Sequence, residues 1–148
     1  MTQAADDYAT QVYFDVPPER VFTTLTNPDG FAAWWAPATG SAGEGGDLRV
    51  TFAGIDRPLL IHVTEAKHFA VVRWGITACD FLPDWVGTAP VFTLTESGAE
   101  GCELRFRHEG LNPRLDCYDM CRTGWDQYLP SLRDYIQTGT GNPYTGPR

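Results

Sequence analysis

Three histidines and four cysteines are the side chains here that could do catalytic or metal chemistry. His108 stands out. It alternates with Leu104 and Phe106, so in a strand it shares their inward face. A neutral imidazole there could orient a ligand through one hydrogen bond, or act as acid or base if the protein is an enzyme. The competing expectation is a core histidine satisfied by backbone or a tyrosine. His62 and His68 are isolated, and three separated histidines make no metal site by spacing. Cys117 and Cys121 are four apart, hence on one side of a helix, and a Cys/His pair with His108 is conceivable. No third orienting residue accompanies them, so packing is the expected role for both and for Cys79 and Cys102. No C-x-x-C pair occurs and the gaps fit no common zinc spacing. Gly40–Gly46 lacks the G-K-[ST] ending of a phosphate loop and runs on into strand, not helix. Neither a metal nor a cofactor is expected.

The aromatic rings carry a different kind of chemistry. Trp34, Trp35, Phe52, Trp74, Phe81, Trp85, Phe92, Phe106, Tyr118 and Trp125 should face one interior if the alternation around them holds. They could close a solid core or line a pocket for a small molecule.

The elements that must position these groups follow from periodicity. Val12, Phe14 and Val16 alternate with polar residues, predicting a first strand. Pro17-Pro18 stops it and opens a short helix over 18–26 with Val21, Phe22 and Leu25 on one face. Asn27-Pro28 opens a second short helix ending in Phe31, Trp34 and Trp35. Pro37–Gly46 reads as loop. Alternation then predicts strands around Leu48–Phe52, Ile61–Thr64, Val72–Trp74, Val91–Glu96 and Leu104–His108, separated by turn signals. Asn112-Pro113 opens a long helix to Thr138, with a kink expected near Asp126–Pro130 and Gly139 as its stop. The tail, 139–148, holds three Gly and two Pro and is expected to be loose. Strands joined by short turns imply a one-sided antiparallel sheet, and the long striped helix must cover its apolar face.

Composition bounds the partners. With 148 residues the chain is one domain, over 8–138, large enough to enclose a cavity. A net charge of −8 argues against nucleic acid and against an anionic membrane surface. No apolar run is long enough to span a bilayer. Met1–Asp7 lacks the features of a signal peptide, so the expected compartment is the reducing cytoplasm.

This order of elements, with Val16-Pro17-Pro18-Glu19-Arg20-Val21-Phe22, Phe31-Ala32-Ala33-Trp34-Trp35, Gly45-Gly46-Asp47-Leu48-Arg49-Val50, His108-Glu109-Gly110-Leu111 and Gly124-Trp125-Asp126-Gln127-Tyr128-Leu129, resembles the SRPBCC (START-like) superfamily. The branch it resembles is that of the heat-shock-protein-90 ATPase activator homologues. The resemblance implies an α+β helix-grip fold: a curved antiparallel sheet of six or seven strands around a long C-terminal helix, with two short helices after the first strand. It also implies a cavity between sheet and helix. Two segments depart from the branch pattern, Ala53–Pro58 and Phe81–Pro90, and both lie where such folds shape their pocket. The function expected is binding of a small hydrophobic or aromatic molecule by the ten rings above with His108 and Cys121, with His108 and Tyr118 orienting it. The alternatives are a cyclase- or hydrolase-type enzyme using the same cavity, and a co-chaperone-like module acting on a heat-shock ATPase. Pairing of START-like sheets through edges or outer faces makes a homodimer compatible with the fold.

Overall fold

Period-two alternation builds the sheet. The structure, a computed structural model, describes residues 7–145. In β1 (Tyr8–Phe14), Tyr8, Val12 and Phe14 are buried while Ala9, Gln11 and Tyr13 are exposed. In β7 (Gly101–Glu109), Cys102, Leu104, Phe106 and His108 point inward. The remaining strands are β2 (Ala38–Gly40), β3 (Asp47–Val50), β4 (Leu59–Lys67), β5 (Val71–Ala78) and β6 (Ala89–Ser97). All pairings are antiparallel, in the order β1-β7-β6-β5-β4-β3-β2. Pro90 lies within β6, but the β5–β6 register ends at Arg73↔Val91. Its missing N–H therefore falls where the two strands part.

The helices follow their caps. α1 (Pro18–Leu25) has Pro18 in its first turn and buries Val21, Phe22 and Leu25. A short 3₁₀ turn over Pro28–Gly30, closed by the Asn27 side chain accepting from the Asp29 N–H, leads into α2 (Phe31–Trp34). α3 (Tyr118–Thr138) buries Cys121, Trp125, Leu129, Leu132 and Ile136, a stripe at spacings of four and three. This is the helix-grip α+β fold: one sheet curled around one long helix. Among the described residues no helix is long and apolar enough to cross a membrane.

Three local expectations are corrected. The segment 37–46 is not all loop, because Ala38–Gly40 pairs with Leu48–Val50 as an edge strand. The long helix begins at Tyr118, not Pro113. Asn112 instead closes a chain of turns, its Oδ1 accepting from Arg114 N–H and its carbonyl from Leu115 N–H, and a further turn from Leu115 to Tyr118 precedes the helix. The tail as far as Tyr144 is not loose. Asn142 N–H donates to Ser131 Oγ (2.5 Å), Gln127 Nε2 donates to the Asn142 carbonyl (3.0 Å), and Tyr144 N–H donates to the Trp35 carbonyl (2.8 Å). α3 continues through Pro130, which leaves the Asp126 carbonyl without its intrahelical donor.

Gly110 closes β7 at a φ of +94°, and a Cβ there would stand 2.9 Å from Thr88 Cγ2. Gly110→Ala is expected to destabilise the fold by about 1–3 kcal/mol through left-handed backbone strain and that collision. An unchanged urea midpoint would refute it.

Candidate functional site

The site is best built outward from Trp125, the second buried position of the α3 stripe. An indole nitrogen can only donate a hydrogen bond, and Trp125 Nε1–H donates to His108 Nδ1 at 3.0 Å. That fixes the tautomer: the neutral imidazole carries its proton on Nε2 and donates it to Thr88 Oγ1 at 2.8 Å. The Thr88 hydroxyl passes its own proton to the Trp85 carbonyl at 2.6 Å. His108 has 0% exposure and Thr88 7%. Both ring nitrogens are therefore engaged inside the protein. With water excluded, burial holds the His108 pKa down to about 3, so the ring is neutral at physiological pH.

Around this relay the rings divide into two groups. Trp74 stacks on Trp35 (5.6 Å, 7°) and meets Phe92 edge-on (4.8 Å). Phe92 contacts Phe106 at 5.0 Å, and Phe106 contacts Trp125 at 4.5 Å. Trp74, Phe92 and Phe106 form a solid aromatic core with Trp34 and Phe31, and Trp35 and Trp125 join it to the second group. Trp34 and Trp74 are so enclosed that their indole N–H groups meet no acceptor. The second group borders empty space. A cavity of about 330 Å³ is walled by Trp35 from the end of α2, Phe52 and Ile55 after β3, Leu59 from β4, Phe81, Leu82 and Trp85 after β5, one face of α3, and Tyr144 from the tail. Trp85 and Trp125 stand parallel, 6.2 Å apart at 7°. Phe52 meets Phe81 and Tyr144 edge-on at 5.5 and 5.3 Å. Met120, 61% exposed, stands at the rim.

Of the twelve residues expected from the sequence to touch a ligand, the structure brings Trp35, Phe52, Phe81, Trp85, Cys121 and Trp125 to the cavity. Trp34, Trp74, Phe92 and Phe106 pack behind it, and His108 holds Trp125 from the far side. Tyr118 packs against the core and does not line the space. Sequence reasoning missed Ile55, Leu59, Leu82, Met120, Gly124, Tyr128 and Tyr144. Some of these were signalled. Cys121, Gly124, Trp125 and Tyr128 recur at helical spacing, and Ile55 and Leu82 lie in the two segments that depart from the branch pattern. Tyr144 has no local signal, since its position depends on contacts with Trp35 and Ala53, far off in sequence.

Burial keeps the Cys79, Cys102 and Cys121 thiols protonated. All four are free and buried. Cys121 Sγ accepts from Trp85 Nε1 at 3.0 Å. Burial pushes its pKa up to about 12, with Cys117 beside it acting in the same direction. Burial likewise raises Cys79 and Cys102 to about 11. Nucleophilic catalysis needs a lowered thiol pKa, and these go the other way. Among the described residues no group of three or more His, Cys, Asp or Glu could hold a metal. His62 lies on the outer face, 2.9 Å from Asp47, and His68 stacks on Phe69 in the β4–β5 turn. Asp119 is exposed beside Arg122, and Asp80 pairs with Arg57 at 3.5 Å.

The fold and the cavity between sheet and long helix define a START-like protein. Over residues 15–137 the chain matches the family described as Activator of Hsp90 ATPase homolog 1-like protein, and it belongs to that family. No curated protein matches it. Among solved structures it is similar to the Aha1 dimer from Colwellia psychrerythraea, at 26% identity and a TM-score of 0.78, covering 91% of this chain and 98% of that one. It shares the fold of SSP2350 from Staphylococcus saprophyticus (17% identity, TM-score 0.73, covering 94% and 99%). CalU16 from Micromonospora echinospora also has this fold (19% identity, TM-score 0.70, covering 87% and 73%).

Two outcomes follow from the relay. His108→Phe leaves the Trp125 N–H without an acceptor, at about 1–3 kcal/mol, and removes the bond Thr88 Oγ1 accepts, while Thr88 still donates to the Trp85 carbonyl; urea unfolding should show a loss of roughly 2 kcal/mol, and an unshifted midpoint would refute it. The pH dependence has a definite sign. The unfolded chain binds a proton near pH 6.5 that the folded one refuses until about pH 3. Stability is therefore lost as pH falls through that window, at up to roughly 1.4 kcal/mol per pH unit. The difference in slope between wild type and His108→Gln isolates this contribution; identical slopes would show that His108 titrates normally.

Proposed function

We propose that this protein binds a small hydrophobic or aromatic molecule in the cavity between the sheet and α3. The observation that carries the reading is the wall itself. Rings and aliphatic side chains line about 330 Å³, with no charged residue among the described residues of the wall. A space at the small end of the usual range for ligand pockets, lined mainly by aromatic side chains, suits a compact apolar guest. Burying about 200 Å² of apolar ligand surface contributes on the order of 5 kcal/mol. Stacking on Trp85, Trp125 or Trp35 adds about 0.5–1.5 kcal/mol per ring pair. The loss of translational and rotational freedom on association stands against these gains, so the net affinity is weaker than their sum.

An enzyme using the same cavity needs an acid or base within reach of the guest. His108, the residue proposed for that work, has both nitrogens occupied behind Trp125, and nothing favours that alternative. The interaction module acting on a heat-shock ATPase keeps two supporting observations, the family match and the likeness to the Colwellia Aha1 dimer. Stimulation of a heat-shock ATPase by the purified protein would move the assignment there. The dimer in that relative also supports a homodimer here. The free thiols support a reducing, cytoplasmic setting.

Gly124 offers a clean test. It lines the cavity from within α3, and a Cβ there would make only an ordinary 3.5 Å contact with the Tyr128 ring. Gly124→Leu fills the space while replacing a poor helix former with a good one. The variant should unfold at or above the wild-type temperature and bind a neutral apolar dye such as N-phenyl-1-naphthylamine at least tenfold more weakly. Undiminished dye binding by a folded Gly124→Leu protein would overturn the cavity reading.

A further inference from the structure

The polar atoms of the cavity wall go beyond the question of whether it binds, because they bear on what it can admit. Trp85 Nε1 donates to Cys121 Sγ, Trp125 Nε1 to His108 Nδ1, and the Tyr144 hydroxyl to the Ala53 carbonyl at 3.3 Å. Each of these donors is already committed within the protein. Among the described residues no Lys, Arg or His lines the space, and the Cys121 thiol stays protonated by burial. The two arginines nearest in sequence to wall residues are paired with carboxylates. Arg57 pairs with Asp80 at 3.5 Å, and Arg122 lies 3.7 Å from Asp119 and 3.8 Å from Asp126. The chain as a whole carries −8.

From this arrangement we infer that the cavity selects electrically neutral aromatic guests and rejects carboxylates, sulfonates and phosphates of the same shape. The inference rests on the cavity reading above and narrows it to a ligand class. An anionic group entering the space would shed hydration and find no counter-ion among the described wall residues, with the Trp85, Trp125 and Tyr144 donors already engaged, and an uncompensated buried charge is strongly disfavoured. A neutral ring system sheds little and gains stacking against Trp85 and Trp125. Anion-binding pockets are built the opposite way, with an Arg fork or backbone N–H groups aimed at the charge.

Two dyes of one skeleton test this on the full-length protein. N-phenyl-1-naphthylamine is neutral, and 8-anilino-1-naphthalenesulfonate is the same ring system carrying a sulfonate. Fluorescence titration at constant ionic strength should give the neutral dye at least 100-fold the affinity of the sulfonate, with the neutral signal lost in Gly124→Leu. Comparable affinities, or preference for the sulfonate, with both signals lost in Gly124→Leu, would overturn the charge selection and leave the cavity reading standing. Failure of the wild-type protein to bind either dye would overturn the cavity reading and this inference with it.

Discussion

One buried hydrogen-bond chain organises this molecule: Trp125 Nε1–H to His108 Nδ1, His108 Nε2–H to Thr88 Oγ1, and the Thr88 hydroxyl to the Trp85 carbonyl. It joins the long helix, strand β7 and the segment after β5. Each link is buried, so a break at any point leaves a polar group without water or partner. That penalty fixes the rotation of Trp125 and, through the backbone, the position of Trp85. The two indoles then stand parallel at 6.2 Å, as facing elements of the cavity wall. Polar chemistry in the interior thus serves geometry, and the cavity itself is left almost wholly apolar.

The location of the empty space has a similar origin. Regular strands bring rings together at close, repeating distances, and where β5, β6 and β7 run beside one another the interior is filled by Trp74, Phe92 and Phe106. Space opens where the chain leaves regular structure, after β3 and after β5. There the backbone turns away from the sheet, and Phe52 and Phe81, in edge-on contact with each other, line the opening together with Trp85. The tail completes the wall: Ser131 Oγ, which also donates to the Trp34 carbonyl at 2.8 Å, accepts from Asn142 and helps seat Tyr144 against Phe52. A serine inside an otherwise apolar helix face is thereby the anchor of three segments.

Much of the fold was legible because it rests on short-range rules. Alternation placed β1 and β7, Pro17-Pro18 and Asn27-Pro28 opened the early helices, and the spacing of Cys121, Trp125, Leu129, Leu132 and Ile136 marked the buried face of α3. The errors came where local signals compete. Asn112-Pro113 reads as a helix start, yet the asparagine closes a turn instead, and the helix begins five residues after Pro113. The edge strand β2 was hidden in a Gly- and Ser-rich segment, because only its partner β3 makes it a strand.

Which of the rings enclose a cavity was not a property of the rings. Trp74 and Trp85 have the same side chain; one is sealed in the core and the other faces open space, because their backbones diverge by an amount that sequence spacing does not encode. His108 is the sharper case. Strand parity alone put it on the inner face with an imidazole able to serve either a ligand or the protein. The choice fell to Trp125 and Thr88, contributed by two other segments, whose donor and acceptor groups take up both nitrogens. Periodicity determines which face a residue takes, since that depends on the chain's own repeat. Which atoms it meets there depends on how distant segments pack, and that is settled only when the chain has closed on itself.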